Sequence, residues 1–181
     1  METDQHPSNR FRSVEEDKIR IIFVCHGNIC RSPMAEYIFK YLARKAGVED
    51  RFEVASAGVS DEEEGNDIYP PAKLKLREHG IPYGPHEAHQ LTREEFDYYD
   101  KIICADYDNL TYLPRIGHVD YDDLMDYFDT DEKASLMMQW AGKRRDVSDP
   151  WYTRNFEAAY QDILESCQAI LEDYMREFER E

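Results

Sequence analysis

Apolar positions along this chain follow two periods that alternate. Ile19–Val24 (IRIIFV) is a short run rich in β-branched residues, of a length that suits a buried central strand. Met34, Ile38, Tyr41 and Leu42 then recur at helical spacing, with Pro33 in the first turn, Ser32 at or near the N-cap and Gly47 ending the helix. Phe52–Ala57 reads as a second strand and Gly58–Asp67 as an acidic loop. Ala72–Glu78 predicts a helix stopped at Gly80, and His89–Leu91 a short strand. Thr92 caps a short helix, with Glu95 at the capping-box position. Lys101–Ala105 is a further strand, followed by a helix over Asp106–Leu113.

The pattern is least regular over Val119–Arg145. Asp120, Asp122, Asp123, Asp126, Asp129 and Asp131 crowd one stretch, and Lys133–Trp140 fits a helix. Over Asn155–Phe178, apolar residues from Phe156 through Ile163 and Cys167 to Tyr174 predict one long amphipathic helix. Residues 1–17 are polar and aperiodic, which predicts a loosely attached tail preceding one domain over residues 18–181. Strands alternating with helices, without internal repeat, argue for an α/β fold on a parallel sheet.

Composition narrows the partners. The 181 residues are 41% hydrophobic, enough for one proper core. With 39 acidic against 22 basic residues the net charge is −17, which disfavours nucleic acid and anionic membrane surfaces. Any phosphate site must then be a local positive pocket. Cys25, Cys30, Cys104 and Cys167 are too few for a disulfide scaffold in a chain of this size. No charged stretch followed by an apolar run opens the sequence, and no run approaches the roughly 20 residues of a membrane span. A reducing, cytoplasmic location is therefore expected.

The informative segment joins the first strand to the first helix. In open α/β sheets, ligands bind beyond the carboxyl ends of the strands. A loop entering a helix N-terminus offers free backbone N–H groups as an anion nest. Cys25 begins this loop and Arg31 ends it. A phosphate cradled there lies over the Cys25 sulfur, where Arg31 can clamp two of its oxygens. Positive surroundings of that kind favour the thiolate a cysteine nucleophile needs, and Ser32 can donate to the sulfur. The loop lacks the Gly-x-x-x-x-Gly-Lys of a nucleotide site and the Gly-x-Gly-x-x-Gly of a dinucleotide site. A zinc site on Cys25, His26 and Cys30 would lack a second ligand pair. A lone Cys-x5-Arg is more often a core cysteine; its placement between strand and helix favours chemistry.

The run Val24-Cys25-His26-Gly27-Asn28-Ile29-Cys30-Arg31-Ser32-Pro33-Met34-Ala35-Glu36 resembles the phosphate-binding signature of the low-molecular-weight protein tyrosine phosphatases. Asp149-Pro150-Trp151-Tyr152 resembles that family's general-acid loop. Between them Ser56-Ala57-Gly58, Gly65-Asn66 and His79-Gly80-Ile81 match in order, so the resemblance spans roughly Ile19 to Tyr174. It implies a central four-stranded parallel sheet with helices on both faces, Rossmann-like. It also implies hydrolysis of phosphotyrosine in proteins or peptides, with inorganic phosphate as product and no metal or organic cofactor. Cys25 is then the nucleophile and Arg31 the phosphoryl clamp, with Asp149 as general acid and base. The backbone of His26, Gly27, Asn28, Ile29, Cys30 and Arg31 holds the phosphate. Asn28 shapes the loop, held by Ser56 and His86. Ile29, Trp151 and Tyr152 wall the slot for the substrate ring, and Cys30 can bond reversibly to Cys25. Cys104 and Cys167 read as core residues.

Departures from the family pattern bear on specificity. Asp61-Glu62-Glu63-Glu64 stands where a bulky apolar residue is usual; Glu62 places an acidic rim at the pocket, which favours basic over acidic phosphopeptides. His89 stands where Arg is common. Two rivals share the scaffold: arginine phosphatases tend to have Thr at the position of Ile29, and arsenate reductases need shuttle cysteines that Cys104 and Cys167 do not resemble. A phosphotyrosine-binding module would need neither nucleophile nor acid.

Overall fold

The computed structural model describes residues 18–120 and 131–181. Four parallel strands form the sheet, in the order β2-β1-β3-β4. They are β1 (Ile19–Cys25), β2 (Phe52–Gly58), β3 (Lys101–Cys104) and β4 (Ala134–Leu136). Helices α1 (Arg31–Lys45), α2 (Pro70–Glu78), α3 (Arg93–Tyr98) and α4 (Tyr107–Gly117) connect them. After β4 come α5 (Met137–Trp140), α6 (Pro150–Thr153) and the long α7 (Phe156–Phe178). The α/β reading therefore holds.

In β1, Ile21, Ile22, Phe23 and Val24 are fully buried, each burial contributing about 1.5–3 kcal/mol. Ile21 and Phe23 join one core with α1 and α7, through Ile38, Phe39, Ile163 and Ile170. Ile22 and Val24 join the other, with Phe96, Leu110 and Leu113 from α3 and α4. Both faces of the strand are covered, as the continuous apolar run predicts. Because β2 pairs on one side of β1 and β3 on the other, the chain reverses direction across the sheet at β1. Its carboxyl end opens into the crevice where such folds bind ligands.

Several sequence expectations need correction. Lys133–Trp140 is not one helix: Ala134–Leu136 pair in register with Ile102–Cys104 as an edge strand, and only Met137–Trp140 are helical. A short apolar run has no period that separates strand from helix, so tertiary pairing decides. His89–Leu91 forms no strand of its own, only a bridge between Gln90 and Gly58. The N-cap of α1 is Cys30, with Ser32 inside the first turn. The tail expected over residues 1–17, and Asp122, Asp123, Asp126 and Asp129, lie outside the described residues. Among the described residues no helix is long and apolar enough to cross a membrane.

Candidate active site

The loop from Cys25 to Arg31 closes tightly because Asn28 adopts left-handed backbone (φ 59°), a conformation asparagine tolerates better than most residues. Asn28 is fully buried and every polar group of its side chain is used. Its Nδ2 donates to Ser32 Oγ at 2.8 Å and to Ser56 Oγ at 3.0 Å, and its Oδ1 accepts the His89 amide at 3.2 Å. The His86 ring donates from Nε2 to the Asn28 carbonyl at 2.6 Å. Ser56 and His86 thus both hydrogen-bond to Asn28.

Hydrogen-bond direction follows from this network. Ser56 Oγ donates to Glu36 Oε1 at 2.7 Å. Ser32 Oγ accepts from Asn28, so its own proton is free for the Cys25 sulfur, 3.0 Å away. With Cys25 as the thiolate its Sγ can only accept, so the Ser32 hydroxyl donates to it, an arrangement that stabilises that form.

Among the described residues, no group accepts from the backbone amides of Gly27, Ile29, Cys30 and Arg31. The loop is thus left with a concave set of donors at the start of α1. It is tied from outside instead: Val59 N donates to the Cys25 carbonyl at 3.0 Å and Tyr69 N to the Ile29 carbonyl at 2.8 Å. Gly58 at the end of β2 lies so close that a Cβ there would meet the His26 carbonyl oxygen at 2.6 Å.

Arg31 is buried, with its guanidinium held on three sides. Nη1 donates to Asp106 Oδ2 at 2.8 Å and to the Val147 carbonyl at 2.9 Å, and Nη2 to Asp149 Oδ2 at 3.3 Å. Burial opposes its charge, but neighbouring Cys25, Asp106 and Asp149 outweigh burial and hold its pKa above the ordinary guanidinium value. Asp149 caps α6, its Oδ1 accepting the Trp151 amide at 3.0 Å, and Pro150 fits the first helical position.

All four cysteines are free thiols, each shielded by burial. It pushes the thiols of Cys30, Cys104 and Cys167 well above their ordinary pKa. Nearby Cys25 and Asp149 push Cys30 further in the same direction. Cys104 and Cys167 have no exposed surface, as core residues should. Of the four, Cys25 is the one that begins the loop with its sulfur against the Ser32 hydroxyl.

Cys25, Cys30, Arg31 and Asp149 share one cavity of about 140 Å³. Ile29 contributes an apolar wall, the β2–α2 connection contributes Glu62 and Glu63, and Trp151 and Tyr152 stand at the mouth. Two partners escaped the sequence reading. Asp106 carried a visible N-cap signal, Asp106-x-x-Asn109, but nothing local links it to Arg31. Glu36 lies within the signature run, yet its role depends on a contact with Ser56 on β2.

A strand–loop–helix anion nest with a cysteine at its floor and a carboxylate at its mouth defines a cysteine-dependent phosphoryl-transfer site. The family model described as low molecular weight phosphotyrosine protein phosphatase matches residues 20–180. YfkJ of Bacillus subtilis, a low molecular weight protein-tyrosine-phosphatase, is 35% identical over 165 residues, covering 88% of this chain and 97% of the relative. Its crystal structure superposes with a TM-score of 0.78 at 33% identity, covering 88% of this chain and 96% of that one. The Sus scrofa phosphotyrosine phosphatase is 37% identical over 155 residues, 84% of this chain and 93% of its own. A Drosophila arginine phosphatase structure matches with TM-score 0.74 at 30% identity, covering 86% of this chain and 98% of that one. The chain belongs to the low molecular weight phosphotyrosine protein phosphatase family.

Proposed function

We propose that this protein hydrolyses phosphotyrosine, and aryl phosphomonoesters generally, through a phosphocysteine on Cys25. One observation carries the reading: the Cys25 sulfur, the unpaired loop amides, buried Arg31 and Asp149 converge on one cavity. In the first step the Cys25 thiolate attacks phosphorus and the bond to the phenolic oxygen breaks. Asp149 gives its proton to the leaving oxygen. In the second step Asp149 takes a proton from water, whose oxygen attacks phosphorus, and the sulfur–phosphorus bond breaks to release inorganic phosphate. Loop amides and the Arg31 guanidinium stabilise the charge on the equatorial oxygens in both steps. Asn28, Ser32, Ser56 and His86 keep the loop and sulfur in place, while Trp151 and Tyr152 flank the entering ring.

Ile29 supports an aryl substrate over phosphoarginine, since it offers the reaction centre an apolar wall and no hydrogen bond. Substrates are phosphotyrosine-bearing proteins or peptides, met in the reducing cytoplasm where a thiol nucleophile survives. Neither nucleic acid nor membrane insertion has a part in this reading. The experiment is turnover of para-nitrophenyl phosphate by wild type, Cys25→Ser and Asp149→Ala, beside phosphoarginine. Aryl-phosphate turnover lost in Cys25→Ser and weakened in Asp149→Ala is expected. Turnover indifferent to Cys25 contradicts the proposal, and preference for phosphoarginine moves the chain to the rival chemistry.

A further inference from the structure

The wall that the β2–α2 connection gives to the cavity is acidic and fixed. Glu62 and Glu63 line the cavity. Glu64 turns away, its Oε2 accepting the Gln90 amide at 3.3 Å. The connection is held in that shape by Glu64 N to the Asp61 carbonyl at 3.1 Å, Asn66 N to the Glu63 carbonyl at 2.9 Å and Gly65 N to the Ala88 carbonyl at 2.8 Å. Asn66 Nδ2 also donates to Glu63 Oε2 at 2.7 Å. On its other side Glu63 packs on the phosphate loop, where a Cβ on Gly27 would lie 3.2 Å from Glu63 Cγ. Among the described residues lining the cavity, Arg31 is the one permanent cation, and Asp106 and Asp149 already balance it. His26 faces Glu62 at 3.5 Å. A phosphate that reaches the loop amides must therefore pass two carboxylates without a permanent cation of their own in the cavity.

We infer that this protein selects phosphotyrosine with lysine or arginine within a residue or two of it, and that Glu62 and Glu63 are the specificity-determining residues. The inference rests on the phosphatase reading. A substrate cation beside the phosphotyrosine neutralises the wall; a flanking carboxylate or second phosphate adds to it. The Glu62 side chain is 72% exposed, so each contact is screened and modest, roughly 1.4- to 5-fold in affinity. Two carboxylates that attract lysine and repel glutamate separate such peptides by about tenfold in kcat/KM at low salt, and less as salt shortens the screening length.

The test measures kcat/KM on one phosphotyrosyl peptide flanked by lysine, alanine or glutamate, at low and high salt. The enzymes are wild type, Glu62→Gln/Glu63→Gln and Glu172→Gln, the last removing a charge far along α7. The expected order is lysine above alanine above glutamate in wild type, compressed in the double variant and at high salt, and kept in Glu172→Gln. Equal turnover, a preference for glutamate, or an order that survives the double variant overturns the inference. Para-nitrophenyl phosphate, which carries no flanking charge, is measured alongside. Wild type that hydrolyses it while treating the peptides alike loses only the specificity inference; wild type that leaves it intact overturns the phosphatase reading and the inference together.

Discussion

Asparagine at Asp106 tests how the buried guanidinium is held. Asp106 uses both carboxylate oxygens: Oδ1 accepts the Asn109 amide at 2.8 Å, starting α4, and Oδ2 accepts from Arg31 Nη1 at 2.8 Å. Asparagine has the same shape and is a good N-cap, but it has one acceptor oxygen. It can serve the helix or the arginine, and its amide group must face the other. Removing one partner of a buried ion pair outright costs about 3–5 kcal/mol. Here Asp149 and the Val147 carbonyl still hold Arg31, and one of the two Asp106 bonds survives. The loss is thus close to one charge-assisted hydrogen bond, about 2 kcal/mol. For a domain of this size that lowers Tm by roughly 4–8 °C. Loosening the clamp also lowers kcat/KM on an aryl phosphate by about tenfold, near 1.4 kcal/mol of transition-state stabilisation. Urea unfolding followed by circular dichroism, with steady-state hydrolysis on the same preparations, reads both. Wild-type stability together with wild-type kcat/KM in Asp106→Asn would refute the reasoning.

Three further outcomes follow from other contacts. Gly58→Ala drives a methyl group into the His26 carbonyl, so the loop backbone must move; the expected cost is about 1–3 kcal/mol with a fall in activity, and a fully active variant with wild-type Tm contradicts it. The hydrogen bond to Glu95, 2.8 Å away, raises the His89 pKa against the pull of burial. A raised folded value stabilises the protein fully below the ordinary imidazole range, and that stabilisation fades as pH climbs through the raised value. The stability gap between wild type and His89→Gln should therefore be wider in mildly acidic than in mildly alkaline buffer, and a gap independent of pH counts against the pair. Peroxide inactivation of wild type should reverse with thiol reductant, whereas Cys30→Ser should recover less; equal recovery removes Cys30 from that role.

Where sequence reading succeeded and failed has a physical pattern. The β1–loop–α1 unit was legible because its signals are local: a β-branched run, then Cys25 through Arg31, then Pro33 and a helical period. The capping box at Thr92 and Glu95 was legible for the same reason, and both its hydrogen bonds form. Asp106 escaped because its partner lies 75 residues away in the chain, and an ion pair across the sheet leaves no trace in either neighbourhood. Ser32 looked like a cap by residue type, but the Cys25 sulfur and Asn28 take its hydroxyl, and the helix begins two residues earlier, with Cys30 at the N-cap. Ala134–Leu136 had the composition of either element and became a strand because β3 offered a free edge.

The central claim is that phosphate passes through the Cys25 sulfur. Acid quench of wild type during turnover of a phosphotyrosyl peptide, followed by mass spectrometry of the digest, tests it most directly. The expected result is a phosphate adduct on the peptide containing Cys25, absent from Cys25→Ser. Turnover with phosphate on another residue, or undiminished turnover by Cys25→Ser, would contradict the account.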